Sequence, residues 1–407
     1  MSRIDELIQE LCPDGVEHKT LGEAGEFIRG SGLQKADLRE EGVPAVHYGQ
    51  IHTFYGVYAT ETKSFTDPVI AAKLRHAQPG DLLIATTSED DDAVAKATAW
   101  LGDSDVVLSG DAYIYRHALD PKYMAYFFQS LSFQDQKRRF ISGTKVRRIS
   151  GASLNKIRIP VPPPEVQREI VRVLDKFTQL EAELEAELEA RRAQYEHYAG
   201  ELLSIDANVR RVRFGDVATI VRGASPRPIQ RFITDDPEGV PWIKIGDVPV
   251  GGKYITGTAQ RVTREGAAKS RRVLPGDFVL SNSMSFGRPY ISQIEGYIHD
   301  GWLAISKFED SFERDYLYYL LRSAPAQEQF ARKAGAGTVK NLNADIVRSV
   351  LIPVPPREEQ KRVVKLLDRF DALVNDISIG LPAELAARRK QYEHYRDRLL
   401  TFKELAA

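Results

Sequence analysis

IPVPPPEVQREIVRVLDKFTQLEAELEAELEARRAQYEHYAGELL, from Ile159 to Leu203, decides how the rest of the chain is read. Its prolines forbid helix and define an extended lead-in. From Glu165 to Leu203 there is no proline, and apolar residues recur at Val166, Ile170, Val173, Phe177, Leu180, Leu184, Leu188, Tyr195, Tyr198 and Leu202. Steps of three and four describe one face of a helix. At about 1.5 Å of rise per residue this helix would be roughly 58 Å long. A helix of that length with a single apolar seam needs a partner helix.

The partner lies in the same chain. IPVPPPEVQ (Ile159 to Gln167) returns as IPVPPREEQ (Ile352 to Gln360), LDKF (Leu174 to Phe177) as LDRF (Leu367 to Phe370), and RRAQYEHY (Arg191 to Tyr198) as RRKQYEHY (Arg388 to Tyr395). Outward from these words the register persists. VEHKTLGEAGEFIRG from Val16 matches VRRVRFGDVATIVRG from Val209, GVPAVHYGQI from Gly42 matches GVPWIKIGDV from Gly239, and PGDLLIATTS from Pro79 matches PGDFVLSNSM from Pro275. YMAYFFQS at Tyr123 corresponds to YLYYLLRS at Tyr316, and GTKV at Gly143 to GTVK at Gly337. The chain is a tandem duplication in which the front of each copy has diverged and the back has stayed alike.

The second seam, over Glu358 to Phe402, carries Val363, Val364, Leu367, Phe370, Leu373, Val374, Ile377, Leu385, Tyr392, Tyr395 and Leu399. Two like units related by a pseudo-two-fold would set the long helices antiparallel, each RRxQYEHY end near the other's IPVPP end. Gly380 and Pro382 predict a break or kink in the second helix. LEAELEAELEAR (Leu180 to Arg191) is a tetrapeptide repeat, each turn of which adds about 6 Å of rise. The expected fold class is α+β: two mixed domains in tandem pseudo-two-fold duplication, joined by two long antiparallel coiled-coil helices. The expected division is 1–150, 151–204 (first helix), 205–345 and 346–407 (second helix).

Inside the divergent fronts, VPAVHYGQI, DLLIAT and DAYIYR in the first copy, and VPWIKIGDV, DFVLSN and YISQIEGYI in the second, read as strands bounded by Gly, Pro and Asp turn signals. Each front is expected to end in one helix, Pro121 to Phe140 and Arg314 to Arg332.

Lysine plus arginine number 56 and aspartate plus glutamate 57, a net charge of -1, so a nucleic-acid surface must come from segregated charge. Basic residues cluster at KRRF (Lys137), Lys145, Arg147 and Arg148, and through the second front from Arg210 to Arg288. Such clusters among Tyr, His, Asn, Ser and Thr suit phosphate contact and base-edge hydrogen bonding. Cys12 is the only cysteine, which excludes an internal disulfide or a cysteine-built metal site and fits a reducing cytosol. The N-terminus reads as an amphipathic helix, and no apolar run is long enough to span a bilayer, so a cytoplasmic location without a membrane partner is expected.

LCPDGVEHKTLGE at Leu11, the paired IPVPP segments, the LEAE tetrapeptides and the paired RRxQYEHY words together resemble the specificity subunit of type I restriction-modification enzymes, over essentially the whole chain. That resemblance implies that residues 1–150 and 205–345 are target-recognition domains, each reading one half of a bipartite, asymmetric site in double-stranded DNA. It implies that the long helices set the gap, each tetrapeptide rise lying near two base-pair steps. It further implies docking of two adenine methyltransferase subunits and of restriction subunits, which would carry S-adenosylmethionine, ATP and Mg2+, with no catalysis and no cofactor on this chain. Polar loops flanking core strands supply the DNA-contact candidates: Arg29, Ser31, His47, Tyr48, Gln50, Thr86 and Lys145 in the first domain; Arg222, Ser225, Arg227, Lys244, Asn282, Arg288 and Lys340 in the second. Arg191, Arg192, Tyr195 and Tyr198, with Arg388, Arg389, Tyr392 and Tyr395, are candidates both for packing the helix ends and for docking a partner.

Fragments that imitate catalytic motifs are incomplete. PDGVEHK (Pro13 to Lys19) has the parts of a metal nuclease centre, but its acids lie three residues apart with no strands between them. TSEDDD (Thr87 to Asp92) could bind a divalent cation, but acids clustered in a loop are more often simply solvated. AGAGT at Ala334 lacks the strand-and-acid context of a nucleotide site. The chain has no Asn-Pro-Pro-aromatic stretch for adenine methylation, and Glu196 and His197 of QYEHY are adjacent on a helix and point apart. The competing readings are a stand-alone DNA nuclease or methyltransferase, and a helical scaffold that does not touch DNA.

Overall fold

The structure is a computed structural model that describes residues 3–203, 209–248, 252–283, 285–334, 341–375 and 380–405. It comprises two compact units, Met1–Glu183 with Leu385–Ala407, and Leu184–Glu384. The duplication is visible in their topology.

In the first unit a five-stranded sheet runs in the order Gly25–Arg29, Ala112–His117, Leu82–Ala85, Lys96–Trp100, Tyr58–Ala59. In the second unit Thr219–Arg222, Trp302–Ser306, Phe278–Ser281, Pro289–Ser292 and Tyr254–Ile255 follow the same order. Each unit has a second sheet. Ser64–Thr66, Val43–Val46, Val106–Leu108 and His76–Ala77 form the first; Gln260–Val262, Val240–Ile243, Gly296–Ile298 and Arg271–Val273 repeat it, with Ile233–Thr234 added at the edge. VPAVHYGQI and VPWIKIGDV are strand only over their first residues. They turn into a short helix at Tyr48–Thr53 and a 3-10 turn at Ile245–Asp247, capped by the side chains of Gln50 and Asp247 on the backbone N–H of His47 and Lys244.

The extended lead-ins are edge strands. Arg158–Val161 pairs antiparallel with Glu17–Thr20, and Leu351–Pro353 with Arg211–Arg213. Each tie closes a domain by joining its first strand to the residues before the long helix. Gln167 and Gln360, almost fully buried, then lock the turn. Gln167 accepts from Asp120 N at 2.9 Å and donates to Pro162 O at 2.8 Å. Gln360 accepts from Glu313 N at 2.7 Å and donates to Pro355 O and Ser311 O, both at 2.9 Å.

The first long helix is continuous from Pro164 to Leu203. The expected second one is two helices, Arg357–Asn375 and Leu381–Leu399. Gly380 precedes the second of these and Pro382 lies in its first turn, where a missing N–H costs nothing; Ile377 lies outside the described residues. Packing is antiparallel within each unit. In the first, Phe177 stacks on Tyr395 and Glu181 pairs with Arg389 at 2.6 Å, so one helix number rises as the other falls. In the second, Tyr198 stacks on Phe370. Each domain grips its helix through a tyrosine hydroxyl on an aspartate, Tyr126 to Asp175 at 2.8 Å and Tyr319 to Asp368 at 2.6 Å.

The helices expected to end each front are broken. Pro121–Gln129 and Leu131–Arg138 meet at Ser130, and Arg314–Arg322 and Ala324–Ala334 meet at Ser323, both serines having extended backbone (ψ 153° and 148°). The break folds the second piece back and buries Phe133 and Phe330 in the cores. Among the described residues no helix is long and apolar enough to cross a membrane.

Candidate nucleic-acid interface

On each domain one polar rim forms where the first strand of the five-stranded sheet ends beside the loop that enters its neighbour. In the first domain the rim is an open depression lined by Arg29, Ser31, His47 and Tyr48 with Ser109, Gly110 and Asp111. Arg29 is exposed, and its Nε donates to Gly110 O at 3.1 Å. Tyr48 N donates to the buried Ser109 hydroxyl at 2.8 Å, and Ser31 Oγ accepts from Arg75 N at 3.1 Å. Burial pushes the His47 imidazole below its ordinary pKa, so near neutral pH it is an uncharged donor and acceptor.

The second domain repeats this frame with other side chains. Arg222 Nε donates to Asp300 O at 3.1 Å, and Asn282 Nδ2 donates to the same oxygen at 2.9 Å. Ser225 Oγ donates to the Asp300 carboxylate at 2.8 Å, and Arg227 lies 3.6 Å from it. The Ser225 bond holds the Asp300 carboxyl below its usual range, while burial lowers the pKa of the neighbouring His299 despite the aspartate. Lys244 stands close enough to His299 to add to that lowering. Arg288 sits apart on the turn into Pro289–Ser292, over the Tyr290 ring at 5.6 Å.

Several candidates have internal work. Gln50 spends its oxygen on His47 N and its Nε2 on Ser64 Oγ at 2.7 Å. Thr86 is buried and its hydroxyl donates to Asp111 O at 3.1 Å, matching Asn282 beneath the second rim. Lys145 is exposed in a loop outside the depression, and Lys340 lies outside the described residues.

The basic clusters are partly neutralised. Lys137 is fully buried and donates to the carbonyls of Asp92 and Val94, each at 2.9 Å, so it belongs to the core. Arg147 pairs with Asp91 at 2.8 Å and Arg138 with Asp92 at 3.8 Å, which ties the acidic TSEDDD loop to KRRF. Arg272 pairs with Glu295 and Lys269 with Glu265. Among the described residues no group of three or more acidic, His or Cys side chains is placed to hold a metal. Glu17 of PDGVEHK pairs with Lys19 at 3.2 Å within an edge strand.

The rim loops Ser109–Gly110–Asp111 and His299–Asp300–Gly301 were absent from the sequence candidates. The available signal was their Gly-Asp and Asp-Gly turn pairs, one running into DAYIYR and the other directly before WLAIS.

Of the helix-end candidates, Tyr392 is buried with its hydroxyl on Gln129 Oε1 at 3.1 Å, and Tyr395 stacks on Phe177. Tyr195 is half-buried against the second core, and Tyr198 remains 41% exposed beside Phe370. Arg191 bonds Gln194 at 3.0 Å, Arg389 pairs with Glu181, and Arg192 and Arg388 are exposed.

Comparison with known proteins agrees with this architecture. The model of the type I restriction modification DNA specificity domain matches residues 13–190 and again 207–387. The specificity subunit of the Escherichia coli type I restriction enzyme EcoR124I/EcoR124II is 33% identical over 297 residues, 69% of this chain and 70% of that one. A chain from a structure concerned with complex assembly and conformational transition of the type I R-M system superposes with a TM-score of 0.70 at 19% identity, over 95% of this chain and 98% of that one. The HsdS subunit from Thermoanaerobacter tengcongensis does so with a TM-score of 0.53 at 19% identity, over 96% and 97%. Two copies of the domain, one per compact unit, with the duplicated topology behind them, mean that this chain belongs to the type I restriction-modification DNA specificity family.

Proposed function

We propose that this chain is the non-catalytic subunit that specifies the DNA target of a type I restriction-modification complex. Each recognition domain reads one half of a bipartite, asymmetric site. The long helices carry two adenine methyltransferase subunits, with restriction subunits added to them, and S-adenosylmethionine, ATP and Mg2+ belong to those partners. The observation that carries this reading is a single backbone frame bearing two different rims. His47, Tyr48, Ser109 and Asp111 in one domain stand where Lys244, Ile245, His299 and Gly301 stand in the other. Neutral imidazoles, a lysine and carboxylates at loop edges are groups that discriminate base edges in a groove. Different rims imply different half-sites, hence an asymmetric target.

The helix-end words support the docking part. RRAQYEHY and RRKQYEHY turn aromatic faces inward to the seam and leave Arg192 and Arg388 exposed outward. The test is a map of adenine methylation in cells that express this chain with its methyltransferase partner. A split motif, one half of which changes when residues 16–150 are exchanged for another recognition domain, is expected. An unsplit motif, or one indifferent to the exchange, contradicts the proposal.

A further inference from the structure

Within rims that differ, one element is repeated without change. Arg29 and Arg222 end equivalent strands, and in each the guanidinium Nε is fixed on a loop carbonyl at 3.1 Å. Each is followed by a glycine, Gly30 or Gly223, at which a Cβ would collide with the backbone carbonyl of Ser109 or His299. The glycine allows the close approach of strand and loop that sets the arginine. Both arginines are exposed, and among the described residues their terminal nitrogens have no hydrogen-bond partner.

A group kept at the same place in two unlike rims is suited to what the two half-sites have in common. What every duplex presents at both is the phosphate backbone. A planar guanidinium held at Nε offers its outer N–H pair to two phosphate oxygens. We infer that Arg29 and Arg222 are paired phosphate clamps, one per half-site, which set register while the unlike rim residues, His47 and Tyr48 against Lys244 and His299, read bases. The inference rests on the DNA-recognition reading above.

The test uses the assembled methyltransferase complex carrying Arg29→Gln, Arg222→Gln, Arg29→Lys and, for contrast, His47→Ala. Binding to cognate and unrelated duplexes is titrated over a range of salt, and the methylated motif is mapped. Each glutamine variant is expected to weaken both duplexes by a similar factor, roughly 10-fold, to reduce the slope of log K against log salt by about 0.9, and to leave the motif unchanged. Arg29→Lys keeps the charge and should retain the slope. His47→Ala should relax one position in one half-site. Relaxed base preference in Arg29→Gln or Arg222→Gln, a loss confined to cognate DNA, or unaltered binding would overturn the inference. A wild-type complex that methylates no split motif would instead defeat the function on which it rests.

Discussion

Replacing the buried glutamine of each IPVPPxxxQ word gives a graded prediction, because the two copies spend that side chain differently. Gln167→Met keeps the volume but strands Asp120 N–H and Pro162 C=O; Gln360→Met strands Glu313 N–H, Pro355 C=O and Ser311 C=O. At ~1.5 kcal/mol for each fully stranded group, and with three of the five bonds only part-buried, Gln167→Met should cost up to about 3 kcal/mol and Gln360→Met up to about 4.5 kcal/mol. Gln167→Glu adds a diagnostic. A carboxylate can accept from Asp120 N–H but opposes Pro162 O, whereas a carboxylic acid can donate to it. Its folded pKa would be raised, so its stability is fully present below the unfolded carboxyl pKa and is lost as pH rises through the folded value. Urea denaturation of the three variants at acidic and neutral pH reads this directly. Costs below about 0.5 kcal/mol, the reverse order of the two Met variants, or a pH-indifferent Gln167→Glu would refute the role of these glutamines as locks.

Burial, offset only in part by the nearby Asp90, Asp91 and Asp92, pushes Lys137 down to about 8, so the unfolded chain binds more protons between that value and the ordinary lysine pKa. Stability should therefore rise with pH across that window in the native chain and not in Lys137→Met, which should bind DNA normally. His117 is pushed down to about 4 by burial, so its contribution is complete above the free imidazole pKa and is lost as pH falls toward 4; His117→Phe should remove up to about 3 kcal/mol of acid sensitivity, read from denaturation midpoints at pH 7 and 4.5. Asp175 holds Lys122 Nζ and Tyr126 Oη, whereas Asp368 holds Tyr319 Oη, so Asp175→Ala should cost ~3 kcal/mol and Asp368→Ala ~1.5 kcal/mol in the same assay.

The duplication, the extended lead-ins, the long first helix and the antiparallel seam were legible because each repeats a local signal at two places. The serine breaks were not. YMAYFFQSLSF and YLYYLLRSAPA continue an apolar helical period through Ser130 and Ser323; the local signs of a break, a serine able to cap a new helix and Pro325, are weak beside that period, and burying Phe133 and Phe330 adds the tertiary gain of folding back. Lys137 read as part of a basic run because its carbonyl partners lie 45 and 43 positions away. The recurrence of Gln167 and Gln360 at the same offset from paired prolines was a usable sign of a buried role. At the rims, Arg29, Ser31, His47 and Tyr48 were reachable as polar residues flanking core strands. Gln50, Thr86 and Asn282 satisfy the same rule, but their side chains hold the loop from beneath.

The most direct measurement is a genome-wide adenine-methylation map from cells carrying this chain with its methyltransferase partner, repeated with residues 16–150 replaced by those of another family member. A split motif of two unlike halves, of which one half alone changes on replacement, is what two unlike rims on one duplicated frame predict. A contiguous or self-complementary motif, or a change in both halves at once, would contradict it.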